Sequence, residues 1–172
     1  MSITVSVSPT LLSWNDFLPV DSLPDTSGDE AQTATTMPEL SGIHPVMAQG
    51  RFSLPNITLT VGLDRSQTMV TRTAQKTADL LKHEQGHFDI TVLTVRALAK
   101  ELEQLKAGSP AALGQQMNAA LSKHQQRANM LEEKYDKETD HSKDRDAQKK
   151  WNDAIDSAMK GAGVLILQAM PL

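Results

Sequence analysis

The strongest constraint on the fold is a long stretch of sequence, residues 71–106, that contains no proline and a single glycine. Its apolar residues recur three and four positions apart, the spacing that places side chains on one face of an α-helix. They are Leu81, Phe88, Val92, Val95, Leu98, Leu102 and Leu105. The pattern predicts one long helix with a single buried stripe.

Two further helices are predicted after this one. The sequence AGSP supplies a helix stop, with Gly108 as a C-terminal cap and Pro110 as a first-turn residue of the next helix. The second helix is predicted from Pro110 to about Glu133 or beyond, and a third over residues 144–160. The apolar sequence GVLILQAMPL that follows is predicted to dock on the core as a strand or an extended tail.

The first part of the chain carries strand signals. Residues 3–8 and 57–63 alternate apolar and polar side chains, the period of a half-buried strand. Residues 18–51 are rich in Pro, Ser, Thr, Asp and Gly, and they predict a long loop with one edge strand. We therefore expect a single α+β domain over residues 1–172, with a strand and loop part at 1–70 and a helical part at 71–160.

Charge and composition exclude several kinds of site. The formal net charge is -4, and the Lys and Arg residues lie beside acidic partners, so nucleic acid is not an expected partner. Cysteine is absent, which excludes disulfides, thiolate nucleophiles and Cys-based zinc sites. A metal ion would have to be held by histidine nitrogens and carboxylate oxygens.

No targeting or membrane segment is visible in the sequence. The N-terminus lacks a basic region followed by an apolar core, and no stretch approaches the roughly 18–20 apolar residues that a membrane span needs. We expect a protein without a membrane span that is cytoplasmic or is exported by a specialised secretion system. The sequence leaves the oligomeric state open.

The long helix contains the sequence LLKHEQGHFDI, which brings His83, Glu84 and His87 close together. Histidines four residues apart lie one above the other, with Cβ atoms about 6 Å apart, so both can bind one ion. Glu84 falls in register with Leu81 and Phe88, so its carboxylate points inward. Burying a carboxylate costs free energy unless the group finds a partner. A lone helix histidine is more often structural, but the full His-Glu-x-x-His spacing favours a divalent metal site, zinc first.

A catalytic zinc site takes three protein ligands, so a third ligand must come from elsewhere in the chain. His141 is the favoured candidate, because it stands in the polar sequence YDKETDH at the end of the second helix. The alternatives are carboxylates of the same stretch, Glu138 first and then Asp136 and Asp140. His124, within SKHQQRA, is expected to lie on the solvated face of its helix.

Four sequence blocks together resemble a bacterial family of predicted zinc-dependent proteases catalogued as DUF922. The blocks are LSWNDF at 12–17, LLKHEQGHFDI at 80–90, YDKETDH at 135–141 and QKKW at 148–151. The resemblance implies a zincin-like fold, in which a small N-terminal β-sheet packs on the active-site helix. It also implies that His83, His87 and His141 bind Zn²⁺ and that Glu84 is the catalytic base. The chain departs from the family at Ser142, where members often have a glycine that favours positive φ.

These residues predict a zinc metallopeptidase that acts on a peptide or protein substrate. Glu84 would take a proton from water as that water attacks a carbonyl carbon polarised by the metal. Tyr135 would hydrogen-bond the oxyanion, or would instead pack at the helix end. The peptide is expected to bind along an exposed strand edge, with residues 57–63 as the favoured strand. The alternatives are a metal-binding, non-hydrolytic interaction module and a helical structural protein without metal.

Overall fold

The fold, seen in a computed structural model that describes residues 2–24 and 29–161, is a mixed α+β arrangement in which short strands precede three helices. The strands are β1 (Ser2–Ser8), β2 (Leu18–Val20), β3 (Ala31–Gln32), β4 (Glu39–Ser41), β5 (Val46–Ala48), β6 (Arg51–Ser53), β7 (Asn56–Gly62) and β8 (Met69–Thr71). The helices are α1 (Ala78–Gln104), α2 (Pro110–Thr139) and α3 (Arg145–Lys160). The predicted α+β class is therefore confirmed.

β7 is the central strand of the main sheet, whose order is β1-β7-β4. It runs parallel to β1 and antiparallel to β4. Its alternate side chains Ile57, Leu59 and Val61 are buried in one core with the apolar face of α1. The strand predictions at 3–8 and 57–63 are confirmed. The expectation that 57–63 is an edge strand is wrong, because β7 is paired on both sides.

The predicted long loop at residues 18–51 instead contains several short strands. β2, β8 and β3 form a second sheet in that order, and β5 pairs with β6 as a separate antiparallel pair. Strands of two or three residues are too short to show an alternating pattern, and they form here because their backbones pair with β7, β8 or each other. The single predicted sheet is therefore three small sheets.

The three predicted helices are confirmed, with shifted ends. α1 begins at Ala78 because Met69–Thr71 pairs as β8 and because the Thr77 side chain caps the helix by accepting the backbone N–H of Leu80. α2 ends at Thr139, which agrees with the predicted end at Glu133 or beyond. The predicted tail at 163–172 lies outside the described residues. None of the described helices has the length and hydropathy needed to cross a membrane.

A second, smaller core lies between the three helices and is centred on Tyr135 of α2. The side chain of Tyr135 is fully buried, and its ring lies 5.2 Å from the ring of Trp151 on α3. Its hydroxyl donates a hydrogen bond to the backbone carbonyl of His83 on α1 and accepts one from the Gln148 side chain on α3. Tyr135 therefore ties α2 to both other helices.

Gly86 provides the space that Tyr135 occupies on α1. A Cβ atom added to Gly86 would lie only 2.3 Å from the Tyr135 hydroxyl oxygen and within 3 Å of two ring carbons. Because the ring is buried and hydrogen-bonded, it cannot move aside as an exposed flexible side chain could. A residue larger than glycine at this position would force the two helices apart.

We predict that Gly86→Ala lowers the free energy of unfolding by about 1–3 kcal/mol, the usual cost of overpacking a buried contact. The matched control is Gly114→Ala in α2, where an added Cβ meets no atom within 4 Å. That control should stabilise the protein by about 0.5–1 kcal/mol, because alanine is the better helix former. Urea denaturation measures both, and equal effects of the two substitutions would contradict the assigned contact.

Candidate metal centre

Three side chains from α1 and α2 converge on one point. The Nε2 atoms of His83 and His87 are 3.3 Å apart. Oδ1 of Asp136 lies 3.2 Å from the first and 2.8 Å from the second. Within the described part of the chain, this is the group of His and carboxylate side chains whose ligand atoms lie close enough together to hold a metal ion.

The spacing of these atoms suits a tetrahedral zinc ion. Zinc bonds of about 2.0–2.1 Å place two ligands of a tetrahedron roughly 3.3 Å apart. The three separations between His83, His87 and Asp136 range from 2.8 to 3.3 Å. Oδ1 of Asp136 is also buried without an aligned hydrogen bond from any described residue. The separations and the unpartnered Asp136 oxygen are those expected of atoms that can share one ion, so the residues fit it.

Negative charge is concentrated around His87. Burial alone would lower the pKa of His87, but the contact with Asp136 and the charges of Glu84, Asp136 and Glu132 raise it to about 9. For Asp136 burial acts to raise the pKa, but the two histidines outweigh it and hold that pKa well below its usual range. Without metal, a proton on His87 supplies positive charge at this position, and metal binding would release it.

A hydrogen-bond network behind His83 fixes the orientation of its ring. Nδ1 of His83 lies 2.9 Å from the side-chain oxygen of Gln148. The amide nitrogen of Gln148 donates to the Tyr135 hydroxyl and to the Asn152 side chain, at 2.6 and 2.9 Å, so the amide oxygen must face His83. His83 therefore carries its proton on Nδ1 and presents the lone pair of Nε2 to the metal position.

Glu84 is a buried carboxylate beside this group. Its side chain is only 2% exposed, and its Oε2 has no hydrogen-bond partner among the described residues. Burial raises the pKa of Glu84, although the nearby His87 and His83 partly offset that effect. A buried carboxylate oxygen without a partner is costly, and a hydrogen-bond donor placed beside it would offset that cost.

The site opens into a polar cleft of about 320 Å³. α1 contributes His83, Glu84 and His87 to the cleft, α2 contributes Asp136, and β3 forms another wall. β3 is an edge strand of its sheet, paired with β8 on one side only. The strand edge next to the histidines is therefore that of β3, and not that of residues 57–63 as the sequence suggested.

The structure does not bring His141 into the group. His141 lies in the turn that follows α2, and its Nδ1 is 2.6 Å from Oδ1 of Asp29, which precedes β3. Asp140, His141 and Ser142 all have positive φ, at 45°, 51° and 73°. Ser142 thus adopts the conformation that a glycine would favour, and the turn directs His141 towards Asp29. Glu138 is also elsewhere, because it accepts a hydrogen bond from the Trp151 indole.

Asp136, ranked below His141 and Glu138 from sequence, is the side chain that lies beside the two histidines. The buried residues near the end of α2, Leu131, Tyr135 and Thr139, recur four residues apart. Asp136 directly follows one of them and lies at the edge of that stripe. The stripe was readable in the sequence, but which of its edges faces the histidines is decided only by the packing of α2 on α1.

Two other predicted placements change. The Tyr135 hydroxyl bonds to the backbone of His83 and to Gln148, behind the histidines, so it does not face the cleft where an oxyanion would form. Its ring instead stacks on that of His83, with centroids 4.7 Å apart. His124, expected to be solvated, is 8% exposed and bonded to Glu101. Sequence reasoning missed Gln148, whose role depends on contacts from a third helix.

Comparison with known proteins gives a family and no closer relative. Residues 46–142 match the family described as "Bacterial protein of unknown function (DUF922)". The match covers more than half of the chain and includes His83, Glu84, His87 and Asp136. No curated protein and no solved structure matches the chain.

We predict that the protein binds one equivalent of Zn²⁺. Asp136→Asn should weaken zinc binding by more than about 10–100-fold, the usual loss when a residue that only hydrogen-bonds to a metal ligand is removed. His141→Ala, five residues further along, should leave the affinity nearly unchanged because His141 pairs with Asp29. Competition with a chromophoric chelator measures both affinities. The reverse result, with His141→Ala abolishing binding and Asp136→Asn tolerated, would restore His141 as the third ligand.

Gln148→Leu should weaken zinc binding by about 10–100-fold, because the His83 ring loses the acceptor that fixes its proton on Nδ1. Gln148→Glu keeps an acceptor oxygen next to His83 and should retain most of the affinity. The unfolding free energies of both variants show whether a loss of affinity reflects a general loss of structure. Equal zinc affinity in Gln148→Leu and the wild type would exclude this orienting role.

Proposed function

The chain belongs to the DUF922 family of bacterial proteins, and we propose that it is a zinc-dependent metallopeptidase. In this proposal His83, His87 and Asp136 hold Zn²⁺, and Glu84 is the general base. The main support is the convergence of three donor atoms next to a buried, unpaired Glu84 oxygen at the bottom of an open cleft. Structural zinc sites are closed by four protein ligands, whereas catalytic sites keep one position open.

Zinc bound by these residues would lower the pKa of water and polarise the carbonyl oxygen of a substrate. Glu84 accepts a proton from the attacking water as the new bond to the carbonyl carbon forms. When the carbon–nitrogen bond breaks, Glu84 returns that proton to the leaving amine.

The walls of the cleft favour an extended peptide as the substrate. β3 (Ala31–Gln32) uses one edge to pair with β8, and the cleft lies along the same strand. A peptide added along a strand edge is held by main-chain hydrogen bonds that are independent of its sequence. Such binding would place the peptide backbone between β3 and the two histidines, where a carbonyl oxygen could be polarised by the metal.

The alternative is a metal-binding module that does not hydrolyse its partner. It would explain the three donor atoms equally well, but it gives no reason for a buried glutamate whose Oε2 has no hydrogen-bond partner among the described residues. The two functions differ in what depends on Glu84. Hydrolysis requires this side chain, whereas metal binding by the other three does not.

We predict that Glu84→Gln lowers kcat/KM for peptide hydrolysis by at least about 10²–10⁴-fold, because the amide cannot accept the proton. The variant should still bind one zinc ion, since none of the three ligands has changed. Cleavage of a denatured protein, followed by mass spectrometry of the fragments, measures the activity of the zinc-loaded enzyme.

The control is Glu133→Gln, which removes an exposed glutamate that lines the same cleft. This variant should cleave at close to the wild-type rate. Wild-type activity in Glu84→Gln would refute the assigned base. Full zinc binding by a wild type that cleaves no peptide would favour the non-hydrolytic module.

A further inference from the structure

A second pocket lies further along α1 from the metal centre. It has a cavity volume of about 60 Å³, and its apolar walls are formed by Met37, Pro38, Val95, Leu98, Leu121 and Ala128. α1 forms its floor, because Val95 and Leu98 are almost fully buried. α2 and the segment between β3 and β4 form the sides. The same three parts of the chain line the metal cleft.

Thr91 connects the two pockets. It lies on α1 one turn after His87, and its hydroxyl donates to Glu132 of the metal cleft. The same hydroxyl is 3.3 Å from that of Thr35, which lines the second pocket. Val95 lies two turns beyond His87, which is about 12 Å along the helix. An extended chain rises about 3.3 Å per residue, so this distance corresponds to three or four residues of bound peptide.

His124 gives the second pocket a specific polar group. Its side chain is about nine-tenths buried, and its Nε2 lies 2.8 Å from a carboxylate oxygen of Glu101. Lys123 bonds to the same carboxylate and holds the pKa of Glu101 below its usual range, so Glu101 acts as an acceptor. A neutral His124 therefore has its proton on Nε2 and a lone pair on Nδ1.

Nδ1 of His124 is buried and has no hydrogen-bond partner among the described residues. A buried acceptor without a donor is unfavourable, so a ligand that supplies a donor gains affinity over one that does not. The pocket is small, since about 60 Å³ is less than half of the roughly 150 Å³ of an engineered apolar cavity that binds benzene. This size favours a side chain of a few atoms over an aromatic ring.

We propose that this pocket selects a short, hydroxyl-bearing substrate side chain, threonine first and serine second, three or four residues from the scissile bond. The threonine methyl group would contact the walls at Val95 and Leu98, and its hydroxyl would donate to Nδ1 of His124. Valine has the same shape without the donor and leaves Nδ1 unsatisfied. This inference rests on the proposed function, because it takes the occupant to be the peptide held at the metal centre.

The test uses alanine-based nonapeptides that carry one Thr or one Val at each position in turn. They are bound to the zinc-loaded Glu84→Gln protein, which should not cleave them, and their affinities are measured by calorimetry. We expect Thr to be preferred over Val by about 3–10-fold at one position, the usual effect of a neutral hydrogen bond. The wild-type enzyme should cleave the same peptides three or four residues from that position.

Two variants of His124 are the matched controls. His124→Gln keeps a donor for Glu101 but has no acceptor at the position of Nδ1, so the Thr-to-Val ratio should fall to about one. His124→Asn keeps an oxygen near that position and should retain a preference. A ratio of one at every position in the Glu84→Gln protein, or an unchanged ratio in His124→Gln, would overturn the inference. Binding that prefers Thr without any cleavage by the wild type would overturn the proposed function alone.

Discussion

The contact between Tyr135 and Gly86 sets the geometry of the candidate metal centre. Because glycine has no Cβ, the Tyr135 ring lies against α1, stacked on His83 and bonded to the backbone of that residue. This contact fixes the rotation of α2, and the next residue, Asp136, therefore faces the two imidazoles. One of the two residues between Glu84 and His87 thus has a structural role, because it is the glycine that lets α2 pack closely on α1.

The same centre concentrates unfavourable electrostatics that the rest of the fold must offset. Glu84, Glu132 and Asp136 bring negative charge to one buried region, and burial raises the pKa of the first two. The histidines balance part of that charge, and the two apolar cores supply the stability that holds the group together. A buried cluster of carboxylates lowers the stability of the fold but favours the binding of a cation, and such clusters are typical of functional sites.

The sequence predicted the parts of the site that one helix determines. His83, Glu84 and His87 follow from the period of α1 alone, because that period fixes both their spacing and the inward direction of Glu84. The third side chain of the group depends on how α2 packs, and His141, in the turn with positive φ that follows α2, pairs with Asp29 instead. The short strands were missed because backbone pairing, and not side-chain periodicity, forms them.

Some walls of the cleft and of the second pocket lie outside the region that matches the family. Residues 46–142, which match the family, contain the three donors and Glu84. One wall of the cleft comes from β3, and one wall of the second pocket comes from Thr35 to Pro38, all of which precede that region. These residues carry weak secondary-structure signals, and they are held by pairing with β8 and by the Thr36 contacts to Gly62. A wall built from such a segment can change in sequence without disturbing α1, whereas His124, the proposed specificity residue, lies on α2 within the matched region.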